Sequence, residues 1–115
     1  EALVPWLARL AEETGLSFAE TRIKGQRTRW GSCTAKKVIS LNYKLLFLPP
    51  EWVRYVLVHE LCHTRELNHS ARFWRLVHRW EPNAVGIRAR LREAWTWLPG
   101  WLDAESRLHP TLADL

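Results

Sequence analysis

Methionine is absent from this sequence and cysteine nearly so, with only Cys33 and Cys62 among 115 residues. Two thiols are too few for the disulfide framework that staples small secreted domains. No stretch approaches the roughly 18 consecutive apolar residues of a membrane span, and no secretory signal pattern opens the chain. The expectation is therefore a cytoplasmic protein with no membrane partner. Because the chain opens on Glu1 rather than Met, the expectation extends to a fragment of a longer polypeptide. Also missing are a Gly-rich phosphate loop and a GxSxG nucleophile elbow. Repeats and low-complexity tracts are lacking too.

What is present fits one domain over residues 1–115, long enough for a single modest core. Residues 99–115 read as a loosely packed tail. Seventeen Lys and Arg stand against twelve Asp and Glu, for a net charge of +5, and eight residues are Trp. A basic balance suits a polyanionic partner such as nucleic acid, and equally a soluble protein with a basic surface.

Along the chain, Leu3, Trp6, Leu7 and Leu10 form a helical stripe that Gly15 stops, with Pro5 confined to the first turn. "LSFAETRIK" reads as extended. "VISLNYKLL" alternates, with Ile39, Leu41, Tyr43 and Leu45 on one face and Val38, Ser40, Asn42 and Lys44 on the other, which predicts a strand. "TRWGSC" is a shorter strand that can fold back on it through "TAKK". Gly31 within that strand marks either a bulge or a close backbone approach. "LPPEW" ends the strand and starts a helix over about residues 50–65, whose only wet positions are Arg54 and Arg65. Ser70 caps a second helix ending near Trp80, and a third covers about residues 84–95.

The densest chemistry lies in "HELCHTRELNH", which places three of the five histidines in eleven residues. His59-Glu60-Leu61-Cys62-His63 is an HExxH pattern on a helix. Residues four apart stand one above the other, so two imidazoles can meet one zinc ion. Glu60, rotated by about 100° from His59, would stand beside the metal, where it can take a proton from water. A third ligand is needed to leave one position open. Glu66 shares the helical stripe, but at about 1.5 Å rise per residue it stands roughly 10 Å along the axis from His59. His69 follows the helix end, and Asn68 tolerates the turn that brings it back. His69 is therefore placed ahead of Glu66. Without a metal, two imidazoles and a carboxylate would occupy a mostly enclosed helix with no evident role, a poor use of ionisable groups.

Other candidates carry less. Cys62 is read as a small buried hydrophobe, His78 as structural or exposed, and His109 as incidental. Tyr43, Tyr55 and Arg29 are alternatives for stabilising an oxyanion. Arg72, Arg75 and Arg79 share one face of the second helix, and Arg88 and Arg92 pair on the third. With Trp74, Trp80 and Trp95 nearby they form either a nucleic-acid surface or solvated arginines over a Trp-rich core; the second is the simpler reading.

"RWGSC" (Arg29–Cys33), "HELCH" (His59–His63) and "NHSARFW" (Asn68–Trp74) occur in the order seen in YgjP-like metallopeptidase domains, which this chain resembles over roughly residues 21–80. Such domains are similar to SprT-like zinc proteases. The resemblance implies an α+β zincin-like minidomain, with a small, mainly antiparallel sheet packed on the HExxH helix and further helices flanking it. It also implies His59, His63 and His69 as zinc ligands and Glu60 as the catalytic residue. The His59–His69 spacing equals that of metzincins. Those carry Gly where Glu66 stands and require a methionine turn, so the absence of Met removes that reading.

The function expected is a zinc-dependent metallopeptidase with one catalytic zinc ion and a polypeptide substrate. The alternatives are a zinc hydrolase of a nucleotide phosphoanhydride and a protease acting on DNA-associated proteins. A binding module with structural zinc is a third class, although such sites normally close all four positions with protein ligands.

Overall fold

Gly15 ends the first helix as its chemistry requires: φ is 73°, and its N–H returns to the carbonyl of Ala11. The computed structural model describes residues 2–26 and 29–97; the expected loose tail and His109 lie outside the described residues. Helix α1 (Leu3–Thr14) buries Leu3, Leu7 and Leu10, with Trp6 partly buried beside them.

Three strands follow: β1 (Glu20–Lys24), β2 (Gly31–Cys33) and β3 (Val38–Asn42), lying side by side in the order β1-β3-β2. Strands β2 and β3 form the expected antiparallel hairpin, with Gly31 opposite Leu41 and Cys33 opposite Ile39. In its turn the Lys37 N–H donates to the Thr34 carbonyl at 2.9 Å. β1 pairs with β3 in parallel, from Glu20 opposite Val38 to Lys24 opposite Asn42. The sheet is thus mixed and not mainly antiparallel. The chain reverses direction once before β2 and once after it, so its first and last strands run the same way.

The alternating pattern through Leu45 predicts a longer strand than exists. β3 stops at Asn42, and Tyr43–Phe47 form a 3-10 helix. Asn42 decides this. Its fully buried side chain accepts the N–H of Lys44 at 3.0 Å, an N-cap bond that competes with continued pairing. Its amide also donates to the carbonyls of Gln26 and Arg29, both at 2.9 Å, tying the segment before β2 to the sheet.

Helix α2 (Pro50–His63) starts with Pro in its first turn and buries Val53 and every residue from Tyr55 to His63. A helix so enclosed serves as a core, and β2, α1, α3 and α4 all pack on it. Helix α3 (Ala71–Trp80) begins at Ser70, whose hydroxyl accepts the Phe73 N–H at 3.3 Å. Helix α4 (Ala84–Trp97) is pinned by Trp30. The indole N–H of Trp30 donates to the Leu91 carbonyl at 3.3 Å, and its ring meets Trp95 edge-on at 4.5 Å. Among the described residues no helix is long and apolar enough to cross a membrane.

Candidate metal centre

The heptapeptide Tyr55–Leu61 puts three polar side chains inside the core: Tyr55 is 1%, His59 2% and Glu60 2% exposed. Buried ionisable groups need partners, and His59 and His63 each have the ring held from behind. The phenol oxygen of Tyr55 lies 3.0 Å from Nδ1 of His59. Nδ1 of His63 lies 3.0 Å from the backbone carbonyl of Glu66. A carbonyl only accepts, so His63 carries its proton on Nδ1 and turns the lone pair of Nε2 inward. Helix α3 supplies the packing. Phe73 stacks on His63 at 4.2 Å and meets His59 edge-on at 4.9 Å, while Trp74 stacks on His69 at 5.7 Å.

With their outer nitrogens occupied, His59 and His63 present Nε2 to a common point, where His69 joins them. Nε2 of His69 stands 3.1 Å from that of His63 and 3.4 Å from that of His59. A tetrahedral ion about 2.0–2.1 Å from each nitrogen would hold two of them roughly 3.3–3.4 Å apart. All three ligand atoms lie within 4.8 Å of one another, so this trio can hold a metal ion. Lone pairs converging at such distances repel unless a cation lies between them. The donor set fits a metal.

Burial supports the same protonation state. It holds His59 well below the ordinary imidazole value, with the neighbouring His63, His69 and Arg88 adding repulsion. His63 is lowered to about 4, again chiefly by burial and in part by His69, against the opposing bond from Glu66. Neutral imidazole is the form that binds metal.

The trio opens into a cavity of about 140 Å³. Helix α2 contributes His59, Glu60 and His63 to its wall; Arg29, Gly31, Ser32 and Cys33 line the opposite side; Leu67 and His69 come from the loop after α2. Gly31 is in regular register opposite Leu41, so the bulge alternative falls and the close approach stands. A Cβ there would lie 3.1 Å from Cγ and Oε2 of Glu60 and 3.2 Å from the Ser40 carbonyl. Glycine leaves the Glu60 carboxylate room to lie against the β2 backbone, where a Cβ would force a shift of a few tenths of an ångström. The Cys33 thiol, pushed up to about 12 by burial first and by Glu60 second, stays protonated at neutral pH.

The other sequence candidates separate cleanly. Glu66 works through its backbone carbonyl as the support of His63, as distance along the helix required of its side chain. Cys62 is fully buried in the core. His78 is exposed. Tyr55 touches the outer nitrogen of His59 and so stands behind the ring, away from the cavity. Tyr43 packs against Gly25, whereas Arg29 does line the cavity. Phe73 and Trp74 escaped sequence reasoning as site residues because aromatic positions on an amphipathic helix first read as core. Their position four and five residues after His69 was the available signal.

Comparison with known proteins bears on the family and the fold. Among curated proteins no relative matches. Among the solved structures that share the fold are two metallopeptidase zymogens. The metallopeptidase zymogen abylysin of Pyrococcus abyssi is 26% identical, with a TM-score of 0.73 over 81% of this chain and 94% of its own. The metallopeptidase zymogen jannalysin of Methanocaldococcus jannaschii is 18% identical, with a TM-score of 0.71 over 82% of this chain and 97% of its own. The model of the YgjP-like metallopeptidase domain matches residues 1–94. That match takes in the sheet, the three histidines and most of α4, and the chain belongs to the YgjP-like metallopeptidase family.

Proposed function

We propose that this domain hydrolyses peptide bonds with one zinc ion held by His59, His63 and His69 and with Glu60 as general base. The observation that carries the reading is the convergence of the Nε2 atoms of His69 and its two partners at 3.1 and 3.4 Å beside the Glu60 wall of one cavity. An all-imidazole set suits zinc, and three ligands leave the open position of a catalytic site. Bound zinc would supply Lewis acidity, lowering the pKa of water toward about 7 and polarising a carbonyl.

The chain's own residues do the rest. Glu60, pressed on the β2 backbone at Gly31, accepts a proton from the attacking water and returns it to the leaving amine. Strand β2 is an edge of the described sheet and its residues line the cavity, so an extended polypeptide can add beside it through backbone hydrogen bonds. Arg29 at the cavity wall is the remaining side-chain candidate for steadying the developing oxyanion.

Elemental analysis of the purified protein and of His69→Ala tests the ligand set; one zinc per chain is expected in the first and little in the second. Turnover of an unstructured protein substrate, assayed beside nucleoside triphosphates, tests the reaction. Glu60→Gln should keep its zinc and lose activity. Undiminished turnover in that variant would mean the base is assigned wrongly, and turnover of the nucleotide alone would move the enzyme to the phosphoanhydride class.

A further inference from the structure

Beyond the cavity, one surface of the molecule carries four arginines against a single acid. Arg72, Arg75 and Arg79 of α3 and Arg65 after α2 line a groove of about 370 Å³ with Leu76 on its floor and Glu66 as its one acid. All four arginines are exposed. Among the described residues Arg22 and Arg54 are examples of ion-paired arginines, and none of these four takes part in such a pair. Helix α3 contains no Asp or Glu at all. We propose that this groove is a docking surface for a nucleic-acid strand, gripped through its phosphates.

Three features favour that partner over an acidic polypeptide. The first is the choice of cation: between Arg54 and Arg92 every cationic side chain except histidine is arginine, with no lysine. The planar guanidinium forks onto phosphate with two parallel bonds, which ammonium cannot do. Spacing is the second. Arg72, Arg75 and Arg79 are strung over roughly 10 Å of helix axis at about 1.5 Å per residue. That is close to three steps along a duplex axis, where each strand carries one phosphate per about 3.4 Å of rise. The third is the flanking aromatic surface: Arg79 lies 5.3 Å over the ring of Trp80, which is only partly buried, and cation and ring together offer a stacking platform for a base.

The location gives the surface a use. Arg65 and Glu66 border the groove, and Leu67, the next residue, borders the histidine cavity. A strand on α3 would therefore lie one loop away from the metal centre, where polypeptides associated with that strand would be presented to it.

The test is fluorescence anisotropy of labelled single-stranded and duplex DNA with the full chain across about 50–200 mM salt, where phosphate contacts dominate the response. Four contacts predict an affinity loss of about 50- to 150-fold over that range, from a slope near 0.7–0.9 per phosphate. The triple variant Arg72→Gln, Arg75→Gln, Arg79→Gln should bind far more weakly and respond to salt only about threefold, as one remaining contact requires. The triple replacement by Lys keeps the charge and should fall between the two. Arg22→Gln, on β1 and paired with Glu20, should bind like the wild type. Circular dichroism checks that each variant folds, and the same titration on metal-free protein separates docking from hydrolysis. Undetectable binding at low salt, equal binding by the triple Gln variant, or equal affinity for polyglutamate would each overturn the proposal.

Discussion

Tyr55 and His59 stand one helical turn apart on α2, and the phenol oxygen of the first lies 3.0 Å from Nδ1 of the second. Burial raises the Tyr55 phenol above its usual range, so it stays neutral and can serve as a fixed hydrogen-bond partner. A ring held at Nδ1 has its Nε2 aimed. Supports of this kind are worth about 10- to 100-fold in metal affinity. Tyr55→Phe should therefore weaken metal binding by about that factor in competition with a chromophoric chelator, while circular dichroism stays unchanged. Equal affinity in the two proteins would leave Tyr55 with a packing role only.

Gly31 makes a second prediction. The added methyl of Gly31→Ala would meet Glu60 at 3.1 Å and the Ser40 carbonyl at 3.2 Å, so the carboxylate must move by a few tenths of an ångström. Displacing a catalytic group by about 1 Å can cost 100-fold, and the smaller shift here should lower kcat by about tenfold. Metal content should stay at the wild-type value. Full kcat in Gly31→Ala would show that the position of Glu60 is not set by this contact.

Asn42 concerns stability. Removing its side chain leaves the carbonyls of Gln26 and Arg29 without their donor and the Lys44 N–H without its acceptor. With the two carbonyls only part-buried, the net loss is about 1–3 kcal/mol in all. For a domain of this size Asn42→Ala should lower Tm by about 5–15 °C, at roughly 4–8 °C per kcal/mol. Asn42→Asp keeps the cap to Lys44 but loses both donors, and should be no better. A shift below about 2 °C in differential scanning calorimetry, on that same scale, would contradict the account.

The histidines govern the pH response of the metal-free protein. His59 and His63 are depressed in the folded state, chiefly by burial, the second to about 4. Between their unfolded value near 6.5 and the folded value the unfolded chain binds more protons, so stability rises with pH. It is fully present above about pH 6.5 and is lost as pH falls toward 4, by up to about 1.4 kcal/mol per pH unit for each histidine. Denaturant titrations from pH 7 to pH 4 should show this slope, and His63→Leu should flatten it. A metal-free protein equally stable across that window would refute the assigned protonation states.

How much of this was written in the chain differs by element. The HExxH spacing, the Pro-led start of α2, the Ser70 cap and the Gly15 stop are local chemistry, decided within four or five residues, and the structure places them as read. The parallel pairing of β1 with β3 was not legible, because strand partners depend on how loops reverse. The end of β3 at Asn42 was missed for a related reason: alternation continues through Leu45, and only the carbonyls of Gln26 and Arg29, distant in sequence, show why Asn42 turns inward.

The same division holds at the site. Helical periodicity by itself determined that His59 and His63 share a face and that Glu60 cannot lie on that line, since a 3.6-residue repeat allows nothing else. Tertiary structure alone decided that His69 swings to within 3.1 Å of His63, that Phe73 and Trp74 brace the rings, and that Gly31 admits the carboxylate. Those contacts join residues from separate elements, and their distances are set by the packing of α3 and β2 on α2.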